Sequence, residues 1–557
     1  MLMALSIPSC TNFTKFATAK KEKFSLVKSR SCRIVSCQVQ CSTSSPNISS
    51  DHKNIVRRSA NYDPPIWSYD YIQALSSKYL EKSYSKQHHM LKEEVKLMLG
   101  KVENHLHQLE LANVLQRLGL FYHFKDDMKR ILDDIYKSII DGNHTWKNLC
   151  STALEFRLLR PHGYDVSTEV FKRFHNEMDN LKSYNTSDIE GMLSLYEASY
   201  LSIEGETFLD EARDFTRKHL KEFVEDQNKK ENEMILQHES YFAEFAKLDF
   251  NILQATLQED LKQASSWWKD SGLGELSFAR NRLMENFFWN VGIAWMPHFG
   301  YHRRMQTTVF ALITTIDDVY DVHGTLEELE LFTDVVDRWD SNAMDKLPDY
   351  MKTCFLALGD VVDEIAFNSL KEQGFHSTPY LKKQWAGLCK SYLIEAKWYH
   401  NGYTPTLQEY IDNAWISIGA SLIMFHAYLF VSNPITREAL DCLEDNHNII
   451  RWSAMIHELK AGDVAKSMQC YMNEVSGASE KDAHAHVWSL VNKTWKKMNK
   501  DRATSSPFCE TFTEVAVNFA RMALCMYQNG DGHTVQDPKT KNLILSLVIE
   551  PIPVTHG

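Results

Sequence analysis

Residues 317–321 read Asp-Asp-Val-Tyr-Asp and end an apolar run from Val309 to Ile316. On a helix, Asp317 and Asp321 share one face, with Asp318 beside them. Gly324 follows and can close such a helix. The carboxylates would then crowd the negative end of the macrodipole, repelling it and one another. Divalent cations relieve both repulsions, and oxygen-only ligands suit Mg²⁺ or Mn²⁺ rather than zinc. A solvated helix end has the same composition, so the neighbourhood must decide. The spacing is not that of an EF-hand loop.

Upstream, Phe278-Ala279-Arg280-Asn281-Arg282 supplies two arginines. A guanidinium is a planar fork that fits phosphate oxygens. Carboxylate-bound metal plus arginines is the equipment for neutralising a departing diphosphate. Aromatic side chains follow at Phe287, Phe288 and Trp289, and later at Trp415, Phe425, Tyr428, Trp452 and Tyr527. Most suit core positions. An aromatic-lined cavity would also stabilise a carbocation and exclude water. No nucleophile–base pair suggests a hydrolytic triad.

The elements that must position these groups are helices. Leu91, Val95, Met98, Val102 and Leu106 step at helical spacing, as do Met128, Ile131, Leu132 and Ile135. Alternating strands and glycine-rich nucleotide loops are lacking. The expected fold is all-α, with two helical domains for 557 residues. The polar stretch 225–233 marks the boundary, giving an N-terminal helical domain over 51–230 and a C-terminal metal-binding catalytic bundle over 231–557. A net charge of −12 and the absence of a basic stripe argue against nucleic acid. No uninterrupted apolar stretch reaches membrane-spanning length. Cys150, Cys354, Cys389, Cys442, Cys470, Cys509 and Cys525 are scattered, which reads as reduced thiols rather than a metal framework. Residues 1–50 hold seven Lys and Arg, abundant Ser and one acid, Glu22. That is the composition of an organellar transit peptide, and also of a plain unstructured tail.

These motifs together resemble the plant terpene synthases, specifically the angiosperm monoterpene synthase branch. The likeness extends over residues 57–557. Arg57-Arg58 and Trp67, with eight residues between, match the tandem-arginine signature. DDVYD matches the aspartate-rich motif and Arg280-Asn281-Arg282 the Arg-x-Arg motif. LGLFYHF (118–124), GMLSLYEASY (191–200) and PDYMK (348–352) also read like the family.

The resemblance implies that Asp317, Asp318 and Asp321 bind Mg²⁺ bridging to a prenyl diphosphate, namely geranyl diphosphate. It implies that Arg280 and Arg282 draw off the diphosphate. Arg57, Arg58 and Trp67 would belong to an N-terminal strand that caps the site and assists isomerisation. Trp289 and Tyr527 would line the pocket. A monomer in the plastid is expected.

The chain also departs from the family. A second metal motif of the form (Asn/Asp)-Asp-x-x-(Ser/Thr)-x-x-x-Glu should follow Asn448–Ser453. Here Met455-Ile456-His457 runs straight into Glu458-Leu459-Lys460. Glu458, as metal ligand, and Lys460, as diphosphate contact, match only its far end. A helix expected near His238 is missing as well. Asn281 stands where Asp is usual, and His323 where Tyr is usual. Two explanations remain: a shortened splice form or reading of the gene, or a protein with weakened metal binding. A catalytically dead helical protein that binds prenyl diphosphates or a partner, a terpene synthase using farnesyl diphosphate as substrate and a chain-elongating prenyltransferase are the competing functions. The last should carry two aspartate-rich motifs, and one is present.

Overall fold

The structure, a computed structural model, describes residues 57–554 apart from 143, 145–147, 173, 175–187, 228–239, 446, 461–463, 505, 529–532 and 534–536. The leader and most of the expected boundary therefore lie outside the described residues. Helices run throughout, and no β-strand occurs among the described residues. The expected all-α class holds.

In chain order the helices are α1 (Tyr69–Gln73), α2 (Lys82–Lys101), α3 (His105–Arg117), α4 (Lys125–Ile140), α5 (Leu149–Leu159), α6 (Ile189–Ser199) and α7 (Thr207–Gln227). Then come α8 (Ser240–Asp270), α9 (Leu283–Ile293), α10 (Gly300–Asp318), α11 (Leu326–Arg338), α12 (Asp349–Gln373), α13 (Thr378–His400) and α14 (Leu407–Ser417). The last are α15 (Ala420–Val431), α16 (Arg437–Glu444), α17 (Asn448–Lys460), α18 (Val464–Glu474), α19 (Glu480–Ala503), α20 (Glu510–Met526) and α21 (Pro538–Ile544). Local chemistry starts many of them. Thr325 caps α11 and Glu328 reaches back to the Thr325 N–H, a reciprocal box that satisfies two orphan donors. Asn104 caps α3, so the apolar stepping expected across 91–106 is broken: α2 ends at Lys101 and Val102 turns extended. Met128, Ile131, Leu132 and Ile135 are all buried on α4, as their spacing requires.

Two large apolar cores result, with three small clusters beside them. One gathers α2–α7 and the start of α8 through Val95, Leu115, Phe156, Phe245 and Leu248. The other holds α9–α13, α15–α17, α20 and the later part of α8 through Leu257, Leu261, Trp289, Phe310 and Phe519. At 1.5 Å per residue, the 31-residue α8 is about 46 Å long, enough to belong to both. Core membership does not follow the 51–230 and 231–557 division. Trp67 and Ile72 bury themselves in the second core, while Phe245 and Leu248 belong to the first. Burial of large apolar side chains, not chain order, decides where a segment docks.

By length and composition alone the stretch Leu407–Val431 could cross a membrane, although Gln408, Glu409 and Asp412 interrupt its apolar run. Its most apolar window is 67% buried inside the protein, and Gly419, with φ +76°, separates α14 from α15. It is an interior segment of the fold. The seven described cysteines are free thiols.

α9 and α10 form an antiparallel hairpin clamped by one arginine. Arg303, fully buried, donates to Asp260 Oδ2 at 2.7 and 3.0 Å and to the carbonyls of Ala294 and Met296 at 2.9 and 2.7 Å. Arg304 donates to the other Asp260 oxygen at 2.8 Å. The clamp fixes the C-terminal end of α9 and the start of α10 to α8. Removing one partner strands a buried charge, so Asp260→Ala should destabilise the fold by about 3–5 kcal/mol in urea titration. A loss under about 1 kcal/mol would contradict this role of the pair.

Candidate active site

The hairpin brings the start of α9 beside the end of α10, and so the arginines beside the aspartates. Asp318 is fully buried. Its Oδ2 accepts from the Arg280 backbone N–H at 2.8 Å, and its Oδ1 from the Tyr62 hydroxyl at 2.8 Å. Arg280 Nε lies 3.3 Å from Asp318 Oδ1, and Arg280 Nη2 pairs with Asp317. The Arg280 guanidinium also sits 5.5 Å from the centre of the Tyr62 ring. Burial raises the Asp318 pKa; Arg280 and the Tyr62 hydroxyl pull against that rise. Asp317 is a quarter exposed and Asp321 exposed, so these two face the mouth.

The end of α10 is not plain α-helix. Val319–His323 forms a π turn, and the Gly324 N–H bonds to the Val319 carbonyl at 2.8 Å. Such widened turns gather at functional sites. Gly324 is extended, at φ −71° and ψ 146°, so it ends the helix without entering the left-handed region. A Cβ there would meet Leu329 Cδ2 at 2.6 Å and the Val319 carbonyl at 2.9 Å, which explains the glycine.

Arg282 is buried at the N-terminus of α9 and donates to the Asn281 carbonyl at 2.9 Å. Burial lowers its pKa. Seven residues along α9, about 10 Å deeper at helical rise, stands Trp289. Its ring centre lies 4.9 Å from His457, 5.8 Å from Tyr527, 6.0 Å from Phe310, 6.1 Å from His533 and 6.2 Å from Phe519. Phe310 is seven residues before Asp317 on the antiparallel partner, so this aromatic cluster lies beneath the charged mouth at matching depth. His457 is fully buried and neutral, its pKa pushed down to about 3 by burial and by His533. His533 Nε2 bonds Asn286 Oδ1 at 2.7 Å.

The N-terminal segment crosses the mouth. Arg57 forms a two-pronged pair with Glu328, at 2.7 and 2.8 Å, and donates to the His323 carbonyl at 3.1 Å. Tyr350 donates to Glu328 at 2.9 Å. His323 stacks on Phe278 with ring centres 4.0 Å apart. Arg58 lies 4.5 Å from the Tyr399 ring centre, and Trp67 is buried.

Arg280, Arg282, Asp317, Asp318 and Asp321 thus converge, and Trp289 meets Tyr527. Glu458 does not come to them by any contact seen: it is buried on α17 and accepts from Tyr410 on α14 at 2.6 Å. The Lys460 side chain lies outside the described residues. Sequence reasoning assigned no role to Tyr62, Glu328, His457 or His533. Tyr62 lies within the string RRSANYDPPIW, but its partner is 256 residues away. Asp318 was expected as a metal ligand, yet both its oxygens are engaged by Arg280 and Tyr62. Asp317 and Asp321 supply hard oxygen donors at the mouth, which fits a divalent cation. A cavity of about 700 Å³ lies elsewhere, between the two cores, lined by Tyr122, Phe250, Trp295, Phe508 and Arg521 among others. It does not touch the aspartates.

Two family descriptions match this chain: terpene synthase, N-terminal domain, over residues 66–240, and terpene synthase family, metal binding domain, over 269–497. Myrcene synthase, chloroplastic, of Quercus ilex is 54% identical, with 98% of each chain covered. The (−)-alpha-terpineol synthase of Vitis vinifera is 51% identical, covering 99% of this chain and 98% of its own. The alignment with the Quercus enzyme runs over 586 positions, more than the 557 residues of this chain, so that relative carries residues absent here. A crystal structure of limonene synthase with 2-fluorolinalyl diphosphate superposes with TM-score 0.84 at 39% identity, over 89% of this chain and all of that one. Isoprene synthase from grey poplar, in complex with three Mg²⁺ ions and dimethylallyl-S-thiolodiphosphate, gives 0.77 at 39% identity, over 87% and 99%. With sequence, fold and both characteristic regions in agreement, the chain belongs to the terpene synthase family.

Proposed function

We propose that this chain is a plastid monoterpene synthase that ionises geranyl diphosphate with Mg²⁺ and works as a monomer. The observation that carries the reading is the charged mouth, Arg280 with Asp317 and Asp318, set over the cluster of Trp289, Phe310, Phe519 and Tyr527. A diphosphate needs cations at one end, and an allyl cation needs π faces without water at the other. The relatives named for myrcene, terpineol and limonene support the substrate size, and several named chloroplastic support the compartment.

Asp317 and Asp321 would hold the cation; Mn²⁺ has the same ligand taste. Bound metal neutralises the diphosphate and makes it a better leaving group. Arg280 is held by Asp318 and Tyr62 with its guanidinium aimed at the mouth, ready to bind phosphate oxygens. Arg282 stands behind it as a second guanidinium. In this reading Asp318 is a positioning residue for Arg280 rather than a ligand.

Arg57, with Arg58 and Trp67, closes the mouth as a strap. Burial alone would raise the Glu328 pKa, but Arg57, the Thr325 N–H and the Tyr350 hydroxyl outweigh it and hold it at about 2, against an ordinary 4.5. A depressed carboxylate contributes its stability above the unfolded pKa and loses it as pH falls through the folded one. The strap should stay docked above about pH 4.5 and loosen toward pH 2. Glu328→Gln should loosen it at neutral pH. Brief proteolysis should then cut before Trp67 in the variant at pH 7 and in the wild type only in acid. Equal cutting of both at pH 7 would remove the strap from the account.

A second reading has its own observation. Glu458 is occupied by Tyr410, and the extra positions in the Quercus alignment agree with loss of the second metal motif. The chain would then be a synthase impaired in turnover. Leader-free protein incubated with geranyl diphosphate and Mg²⁺ separates the two. The first expects monoterpene by gas chromatography, with Asp317→Asn slowing it about 10²-fold or more. Binding without product favours impairment. No product even after the family's second motif is inserted between His457 and Glu458 would overturn the synthase reading.

A further inference from the structure

One carboxylate on α8 ties α2 and the Phe121–Phe124 turn to that helix through more donors than it can comfortably accept. Asp249 on α8 has a side chain only 8% exposed. Its Oδ1 faces His88 Nε2 of α2 at 2.8 Å and His123 Nε2 of the turn Phe121–Phe124 at 2.7 Å. The Tyr122 hydroxyl approaches the same oxygen at 2.8 Å and Oδ2 at 3.1 Å. A carboxylate oxygen has two lone pairs, yet three donors converge on this one. Oδ2 meets only the longer contact. The two imidazole nitrogens and the carboxylate oxygen all lie within 4.8 Å of one another, the one such convergence of His, Cys, Asp and Glu among the described residues.

We propose that His88, His123 and Asp249 form a site for a transition metal of the Zn²⁺ type, separate from the Mg²⁺ chemistry at Asp317. Two imidazoles and a carboxylate are borderline ligands that suit Zn²⁺ and disfavour Mg²⁺. Bonds of about 2.0–2.2 Å in tetrahedral geometry set ligand atoms about 3.4 Å apart. The two nitrogen–oxygen distances, now 2.8 and 2.7 Å, would open by about 0.6 Å, within reach of side-chain rotation. The rings are already oriented: His88 and His123 pack edge-on at 5.1 Å, and both rest on Phe245, at 5.1 and 5.7 Å. Tyr122 keeps its bond to Oδ2 and orients the carboxylate, and its ring packs perpendicular to Trp295 at 5.0 Å. Tyr122 and Asp249 line the 700 Å³ cavity between the cores, which supplies a path for the ion and a water for the fourth position. The metal would weld α2 and the Phe121–Phe124 turn to α8, the helix both cores share. It would brace the fold and take no part in catalysis.

Cobalt(II) reports the site directly. Chelator-stripped, leader-free protein in excess Mg²⁺ should bind one equivalent of Co²⁺ with the intense visible bands of tetrahedral coordination, displaced by Zn²⁺. His88→Gln and His123→Gln should weaken this by more than the roughly 10–100-fold lost when an outer-shell partner is removed. Asp317→Asn should leave it intact. Zn²⁺ should also raise the melting temperature of the wild type, a readout that depends on no variant. Absence of tetrahedral bands, bands that survive His88→Gln, or a melting temperature indifferent to Zn²⁺ would each overturn the proposal.

Discussion

The buried meeting of Arg280 with Asp317 and Asp318 is the constraint around which the catalytic half is arranged. A carboxylate with no exposure, at the negative end of a helix, is tolerable only with a cation and donors at contact distance. Arg280 supplies the charge, and its own backbone N–H and the Tyr62 hydroxyl supply hydrogen bonds. The same contacts aim the guanidinium at the mouth, where Asp317 and Asp321 remain accessible. Stability and chemistry therefore make the same demand on one arginine.

That demand can be met only if α9 and α10 keep their register, and the distant Arg303–Asp260 clamp holds it. It fixes the closed end of the hairpin to α8, leaving charges at one end and the aromatic cluster two turns below. Longitudinal placement on two antiparallel helices then sets the distance between diphosphate and hydrocarbon, with no loop needed to measure it. Asp318, the last residue of α10, is buried, while Asp321, inside the π turn at Val319–His323, is exposed.

Much of this was legible in the residues. The helical period gave the fold class because burial imposes that period on any packed helix. DDVYD and Arg-x-Arg were visible because charges beside apolar runs are costly enough to demand a reason. What escaped were partners far apart in sequence. Tyr62 looks like any tyrosine until the fold lays it on Asp318. Glu328 closes the Thr325 capping box, and Arg57 uses it too, a pairing across 271 residues that no local pattern shows. His457 stood only at a break in a motif, and packing alone put it against Trp289. Nor does chain order show that Trp67 and Ile72 join the core built mainly by the later helices. Spacing groups Asp318 with its neighbours and cannot see the hydrogen bonds it accepts from Arg280 and Tyr62.

In this reading Asp317 binds a diphosphate through a divalent metal, and Arg280 binds it directly. Calorimetric titration with geranyl S-thiolodiphosphate, which cannot readily ionise, measures that binding without requiring turnover. The expected result is binding that depends on Mg²⁺ and weakens about tenfold or more in both Asp317→Asn and Arg280→Met, a loss of at least about 1.4 kcal/mol. Affinity unchanged by Mg²⁺ removal and by both substitutions would contradict the account.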